Sequence, residues 1–88
     1  MRAPSYTNRF AKDVELAKRR GKDTDKLKNV IELIVSEQSL PLRLRDHPLV
    51  GKYAGRRECH IDPDWLLVYK LEPGAVVFER TGTHSDLF

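Results

Sequence analysis

Cysteine is almost missing from this chain: Cys59 stands alone, so no internal disulfide can staple the fold. A reduced, cytoplasmic protein is the simplest expectation. Long apolar runs are missing too. No stretch approaches the roughly 20 apolar residues that cross a bilayer, and the opening MRAPSYTNRFAKD lacks the apolar core of a signal peptide. No membrane association is expected. There is no repeat, linker or low-complexity segment. A Gly-rich phosphate loop is absent, and no serine sits in a nucleophile-elbow sequence. Together these absences remove phosphate-loop nucleotide binding and serine hydrolysis from the candidates.

What remains is 88 residues, enough for a single domain over residues 1–88 and too few for two. Hydrophobic residues at 40% and charged residues at 33% suit a globular chain rather than a disordered one. The net charge of +3 is mild, but its distribution is uneven. One basic cluster holds Lys18, Arg19, Arg20, Lys22, Lys26 and Lys28; a second holds Arg43, Arg45, Lys52, Arg56 and Arg57. Two such patches are either solvated faces or a surface for phosphates.

Phe10, Val14 and Ala17 fall at helical spacing between Asn8 and Arg20, with Thr7 or Asn8 as N-cap and Gly21 as the stop. Leu27, Val30, Ile31, Ile34 and Val35 mark a second helix, capped by Asp23 or Thr24. Their short connection predicts an antiparallel helical hairpin. SLPLRLRDHPLVGKYAG, with two prolines and two glycines, reads as a long loop. RRECHI, WLLVYKL and AVVFER then read as three strands. DPD and EPG join them tightly, with Pro73-Gly74 at the centre of a type II turn. An antiparallel meander follows. A short strand near Arg2 to Tyr6 could add an edge, the only place Pro4 permits. The fold class is α+β: an N-terminal helical hairpin packed on a small, mainly antiparallel sheet.

All three histidines lie in the second half, at His47, His60 and His84. Strand alternation puts Arg56, Glu58 and His60 on one face and Cys59 and Ile61 on the other. Cys59 and Ile61 suit the core, so Glu58 and His60 are expected on an open, polar face. The His47-x12-His60 and His60-x23-His84 spacings match no compact metal-ligand motif, so neither a metal nor a cofactor is expected. Metal-free acid–base chemistry on RNA fits better. The 2′-OH supplies the nucleophile, and imidazole can act as base or acid. Arginines such as Arg56, Arg57 and Arg80 suit phosphate.

DHPL, GRRECHIDPDWLLVYK and FERTGTH, in this order and at these separations, resemble the YafQ branch of the RelE toxin superfamily. The resemblance runs over nearly the whole chain. It implies a microbial-ribonuclease-like fold, cleavage of translated mRNA in the ribosomal A site, and neutralisation by a cognate antitoxin. It also implies a catalytic set of His47, His60, Asp64 and His84 and a substrate contact from Phe88; Glu58 and Arg80, near the histidines in sequence, are expected to bind substrate as well. Glu58 stands where the family pattern has Asp. With the ribosome and its RNA as partners, Lys18, Arg19, Lys22 and Arg56 become expected phosphate contacts. The end of the chain, RTGTHSDLF, is then part of the site rather than a frayed terminus. Two other functions stay open: a toxin of the same fold that binds a target such as gyrase without cutting RNA, as in the ParE branch, and a small RNA-binding module.

Overall fold

The computed structural model describes all 88 residues. In chain order it has β1 (Ala3–Tyr6), α1 (Asn8–Arg19), α2 (Thr24–Val35), β2 (His47–Pro48), β3 (Arg57–Asp62), β4 (Trp65–Glu72), β5 (Ala75–Gly82) and α3 (His84–Leu87). Single 3-10 turns, Leu42–Leu44 and Gly51–Tyr53, flank β2. No helix is long and apolar enough to cross a membrane.

The helices start and stop where their chemistry directs. Thr7 caps α1 by accepting the Phe10 N–H, and Asp23 caps α2 by accepting the Asp25 N–H. After α1 the chain turns through Gly21 at φ +75°. Gly21 and Lys22 there donate to the carbonyls of Lys18 and Ala17, a helix ending that needs a left-handed residue. Both helices lie on one face of the sheet. Phe10 and Ala17 of α1, with Leu27, Val30 and Ile34 of α2, pack on Cys59, Ile61, Trp65, Leu67, Tyr69, Val76 and Phe78.

The five strands run in the order β1-β5-β4-β3-β2. Strands β3, β4 and β5 form the expected antiparallel meander, turning through Gly74 at φ +70°. β1 adds to one edge, parallel to β5, with Pro4 opposite Val76. At an edge its missing N–H need not interrupt the sheet. The other edge was expected to be loop. It carries β2, antiparallel to β3, pairing His47 with Glu58 and Pro48 with Arg57. Two residues are too few to show a period in sequence.

A second correction concerns the face away from α1 and α2. It is not open. Leu66 and Val68 are sealed there by Leu87 of α3, with Leu49 packed alongside, and Glu58 is itself only 6% exposed. A β-bulge sets the outer part of this face. Val68 pairs with Arg80 but Tyr69 pairs with Phe78, leaving Glu79 as the extra residue. Without it, Phe78 and Arg80 would share one face; with it, Phe78 enters the core and Arg80 takes the opposite side.

The bulge also turns Thr81 inward. Its hydroxyl accepts from Trp65 Nε1 at 2.9 Å and donates to the Leu66 carbonyl at 2.7 Å. Thr81→Val should therefore strand a buried indole N–H and cost ~1–3 kcal/mol, a fall in Tm of several degrees. Urea or thermal unfolding checks this; an unchanged midpoint would mean that the Trp65 N–H finds another partner.

Candidate active site

Strand register lays the site out in two rows on the face opposite the helices. His47, Glu58, Val68 and Arg80 stand abreast across β2, β3, β4 and β5. His60, Leu66 and Gly82 form the next row, and His84 follows Gly82 by two residues. Three imidazoles thereby come together, with His60 in the middle. Its ring centre lies 6.2 Å from that of His47 and 5.7 Å from that of His84.

Each imidazole has its own support. His47 Nδ1 lies 2.6 Å from the Arg45 carbonyl and so must donate to it. Its Nε2 is 3.1 Å from Glu58 Oε2, and His60 Nε2 is 3.8 Å from the same oxygen. The contact between His47 and Glu58 is attractive only with a proton between them, because the other ring nitrogen is already a donor. The second carboxylate oxygen, Oε1, is buried with no hydrogen-bond partner. Glu58 is therefore a buried carboxylate whose close polar contacts are two histidines.

His84 is held differently. Asp64 Oδ1 accepts both the His84 backbone N–H, at 3.0 Å, and its Nδ1–H, at 2.7 Å. These bonds, the backbone one first, hold the Asp64 carboxyl below its usual range, with a smaller contribution from Lys22. The proton on Nδ1 leaves Nε2 as the nitrogen free to react. Asp64 thus orients His84, the third histidine, rather than its sequence neighbour His60.

The chain end is folded. Thr83 caps α3 in a reciprocal capping box with Asp86. Arg20 grips Asp86 through two nitrogens, at 2.7 and 3.3 Å. Gly82 leaves the space this needs, since a Cβ there would stand 3.0 Å from Asp86 Cβ and Oδ2. Leu87 is buried, while Phe88 is 58% exposed and packs edge-on against Tyr53 with ring centres 5.2 Å apart.

Two expected phosphate contacts are already engaged. Arg80 sits in the site row but pairs with Asp13 at 2.7 Å, and Arg56 pairs with Glu79 at 2.8 Å. Sequence alternation cannot show where a long side chain finds its carboxylate. Lys18 and Arg19 are exposed at the end of α1. Lys22 is not remote from the histidines: it lies 6.0 Å over the Trp65 ring and influences Asp64. A cleft of about 530 Å³ beside His60 and His84 is lined further by Arg43, Leu44, Arg45, Ile61, Asp62 and Pro63. Arg43 and Arg45 were legible as basic residues but not as lining of this cleft.

Metal binding, discounted on sequence spacing, has a geometric basis. Ligand atoms of His47, Glu58 and His60 lie within 4.8 Å of one another. Two imidazoles and a carboxylate form a donor set suited to zinc or copper. Pairing of β2 with β3, invisible in the spacing, brings them together. Cys59 is no part of this set; it faces the core, where burial pushes its thiol up to about 12.

The family model for YafQ, the bacterial toxin of a type II toxin–antitoxin system, matches residues 2–88. The chain belongs to the YafQ toxin family. The mRNA interferase toxin YafQ of Escherichia coli strain K12 is 46% identical over 84 residues, covering 94% of this chain and 91% of that protein. YafQ in the crystal structure of the E. coli DinJ–YafQ complex matches with a TM-score of 0.94 at 45% identity, covering 100% and 99% of the two chains. A metal-bound toxin from Helicobacter pylori matches with a TM-score of 0.94 at 36% identity, covering all of both chains. The YafQ membership and these structures agree with the α+β, RelE-like fold expected from the sequence.

The tail anchor yields a pH test. The Arg20 guanidinium, then the Thr83 backbone N–H, holds the Asp86 carboxyl well below the usual carboxylate range. A group depressed in the folded state stabilises it fully above its unfolded value, about pH 4, and loses that contribution as pH falls. Asp86→Asn should therefore lower Tm at pH 7, with the gap to wild type narrowing below about pH 4. A gap that is constant with pH would place the effect in packing rather than charge.

Proposed function

We propose that this protein is a ribosome-dependent endoribonuclease, the toxin of a type II pair, cutting translated mRNA in the A site with the RNA's own 2′-OH. The observation that carries this reading is the row of three imidazoles, one of them fixed in orientation by Asp64. In-line displacement puts the attacking 2′-oxygen and the leaving 5′-oxygen on opposite sides of phosphorus. Each needs a nitrogen within roughly 2.6–3.2 Å. In this reading the outer rings, His47 and His84, serve them, His47 by turning its Nε2 from Glu58 to the substrate, and His60 lies between.

One imidazole removes the 2′-OH proton as the O2′–P bond forms. The other protonates the 5′-oxygen as the P–O5′ bond breaks. The products are a 2′,3′-cyclic phosphate and a 5′-OH, and the two histidines have exchanged protonation states. Glu58 stabilises positive charge on His47 and His60, and Asp64 does so on His84. Arg80 supports the site from its pair with Asp13. Phe88, exposed and braced by Tyr53, stacks on a base, a contact worth ~1–3 kcal/mol.

An 88-residue chain has little surface for reading mRNA unaided. The ribosome supplies positioning, and exposed Lys18 and Arg19, with Lys22, meet ribosomal RNA phosphates. The E. coli relative is complexed with DinJ; here a cognate antitoxin covers the site.

The deciding experiment is cleavage of translated mRNA by wild type, His47→Ala and His84→Ala. Each substitution should cost ~10²–10⁴ in rate with ribosome binding retained. The wild-type kcat should trace a bell with limbs between about pH 5 and 8. Products should end in cyclic phosphate by mass spectrometry. Near-normal cleavage by both variants would overturn the assignment, and growth arrest without cleavage would favour a gyrase-type target.

The metal donors overlap the acid–base set. A borderline divalent ion held by His47, Glu58 and His60 would supply positive charge toward the phosphate. It would also occupy the His47 lone pair that proton transfer requires. Added zinc should therefore inhibit, and EDTA should restore activity with magnesium kept for the ribosome. Activity lost to chelation and restored specifically by zinc would overturn the metal-free mechanism.

A further inference from the structure

The arginines around the sheet divide sharply by partner. Arg20, Arg56, Arg57 and Arg80 are committed to Asp86, Glu79, Asp46 and Asp13. Arg43 and Arg45 are exposed, make no ion pair with a carboxylate, and line the cleft that holds His60 and His84. The cleft's one acidic side chain, Asp62, is met by Lys26 at 3.0 Å. Two uncompensated guanidiniums therefore face a cavity of about 530 Å³, within the ~300–1,000 Å³ usual for a ligand site.

The backbone holding them is specialised. Leu44 is buried and anchors the 3-10 turn Leu42–Leu44, while Arg45 closes it at φ 50°, ψ 44°. That left-handed conformation is disfavoured for a side-chain-bearing residue and suits glycine. The Arg45 carbonyl is also the acceptor that orients His47. A strained residue beside candidate catalytic groups is a reason to ask what its side chain contributes.

We infer that Arg43 and Arg45 form a phosphate subsite, gripping a phosphodiester of the mRNA strand next to the scissile one. Guanidinium forks match phosphate oxygens two at a time, and the position beside His60 and His84 extends the substrate path along the cleft. The inference rests on the ribonuclease reading for the identity of the strand. Arg43 and Arg45 are positioning residues and transfer no proton.

The probe is a 2′-O-methyl RNA tetranucleotide, which lacks the nucleophile and cannot be cleaved. Its binding is followed by the NMR shifts of the His60 and His84 ring protons. The variants are Arg43→Gln, Arg45→Gly and their combination. Arg45→Gln, which removes the charge but keeps an ordinary side chain in the left-handed turn, checks that relaxing the turn is not itself the effect, and Arg9→Gln, an exposed arginine outside the cleft, serves as control. Each single cleft variant should weaken binding ~5–10-fold, and the logarithmic salt slope should fall by ~0.7 for each phosphate charge no longer neutralised. The kcat/KM for translated mRNA should fall in step, while affinity for mRNA-free ribosomes holds. Wild-type oligonucleotide affinity and slope in the double variant would overturn the subsite while leaving the nuclease reading intact. Loss confined to mRNA-free ribosomes, or to an acidic antitoxin, would also overturn it. If wild type binds the oligonucleotide through these arginines yet cleaves no mRNA, the subsite stands and the nuclease reading falls.

Discussion

Five consecutive residues of β4, Trp65 to Tyr69, are at most 2% exposed. A strand buried on both faces needs two covers, and this chain has long helices for only one. α1 and α2 seal the side of Trp65, Leu67 and Tyr69. The side of Leu66 and Val68 is closed by Leu87 and Leu49, from the tail and the loop. The same two segments carry His84 and His47. Covering apolar surface and assembling the imidazoles are thus one event: the tail and loop cannot dock without delivering their histidines beside His60.

Charge pairing fixes the details. Asp46, one residue before His47, bonds Arg57 at 2.9 Å and also the Tyr69 hydroxyl. Burial, then Asp46, pushes that phenol well above its ordinary range, so it acts as a hydrogen-bond donor throughout physiological pH. This tethers the loop immediately beside His47. On the tail side, Arg20 and the Thr83 capping box hold Asp86 two residues from the Asp64 contact to His84. Arg56 and Arg80 are neutralised by neighbouring carboxylates, whereas Glu58 faces imidazoles. Cationic charge is therefore quenched along the outer β5 side of the site and left uncompensated in the cleft.

The parts legible in sequence were those with a period or a cap. Leu27 to Val35 repeats at helical spacing, Thr7 and Asp23 were both among the proposed caps, and the three meander strands alternate or run apolar between turn residues. The YafQ pattern marked residues at three separated places that the fold then brought together. What escaped notice depends on pairing between distant residues. β2 exists because His47 and Pro48 meet β3, and the Glu79 bulge exists because β5 must place both Phe78 and Thr81 inward. Neither leaves a local signature. The commitments of Arg56 and Arg80 were hidden for the same reason, as was the closeness of the His47, Glu58 and His60 donor atoms. Glu58 was assigned to the correct face, but its burial depends on neighbours supplied by that late pairing.

The tail's hold on the sheet rests on few contacts. A four-residue helix has no independent stability, so α3 persists through its contacts. Burial of one leucine contributes ~1.5–3 kcal/mol. The Thr83 cap and the solvent-screened Arg20–Asp86 pair add to it. Against these stands the entropy of ordering the tail. The margin is small compared with that of the helix-covered core, which makes the tail a natural unit of local opening. Opening removes His84 from Asp64 and His60 while leaving the main core in place. The third imidazole is therefore the member of the site whose placement depends on the weakest attachment. A ligand that preferred the undocked tail would take the row of imidazoles apart without unfolding the protein.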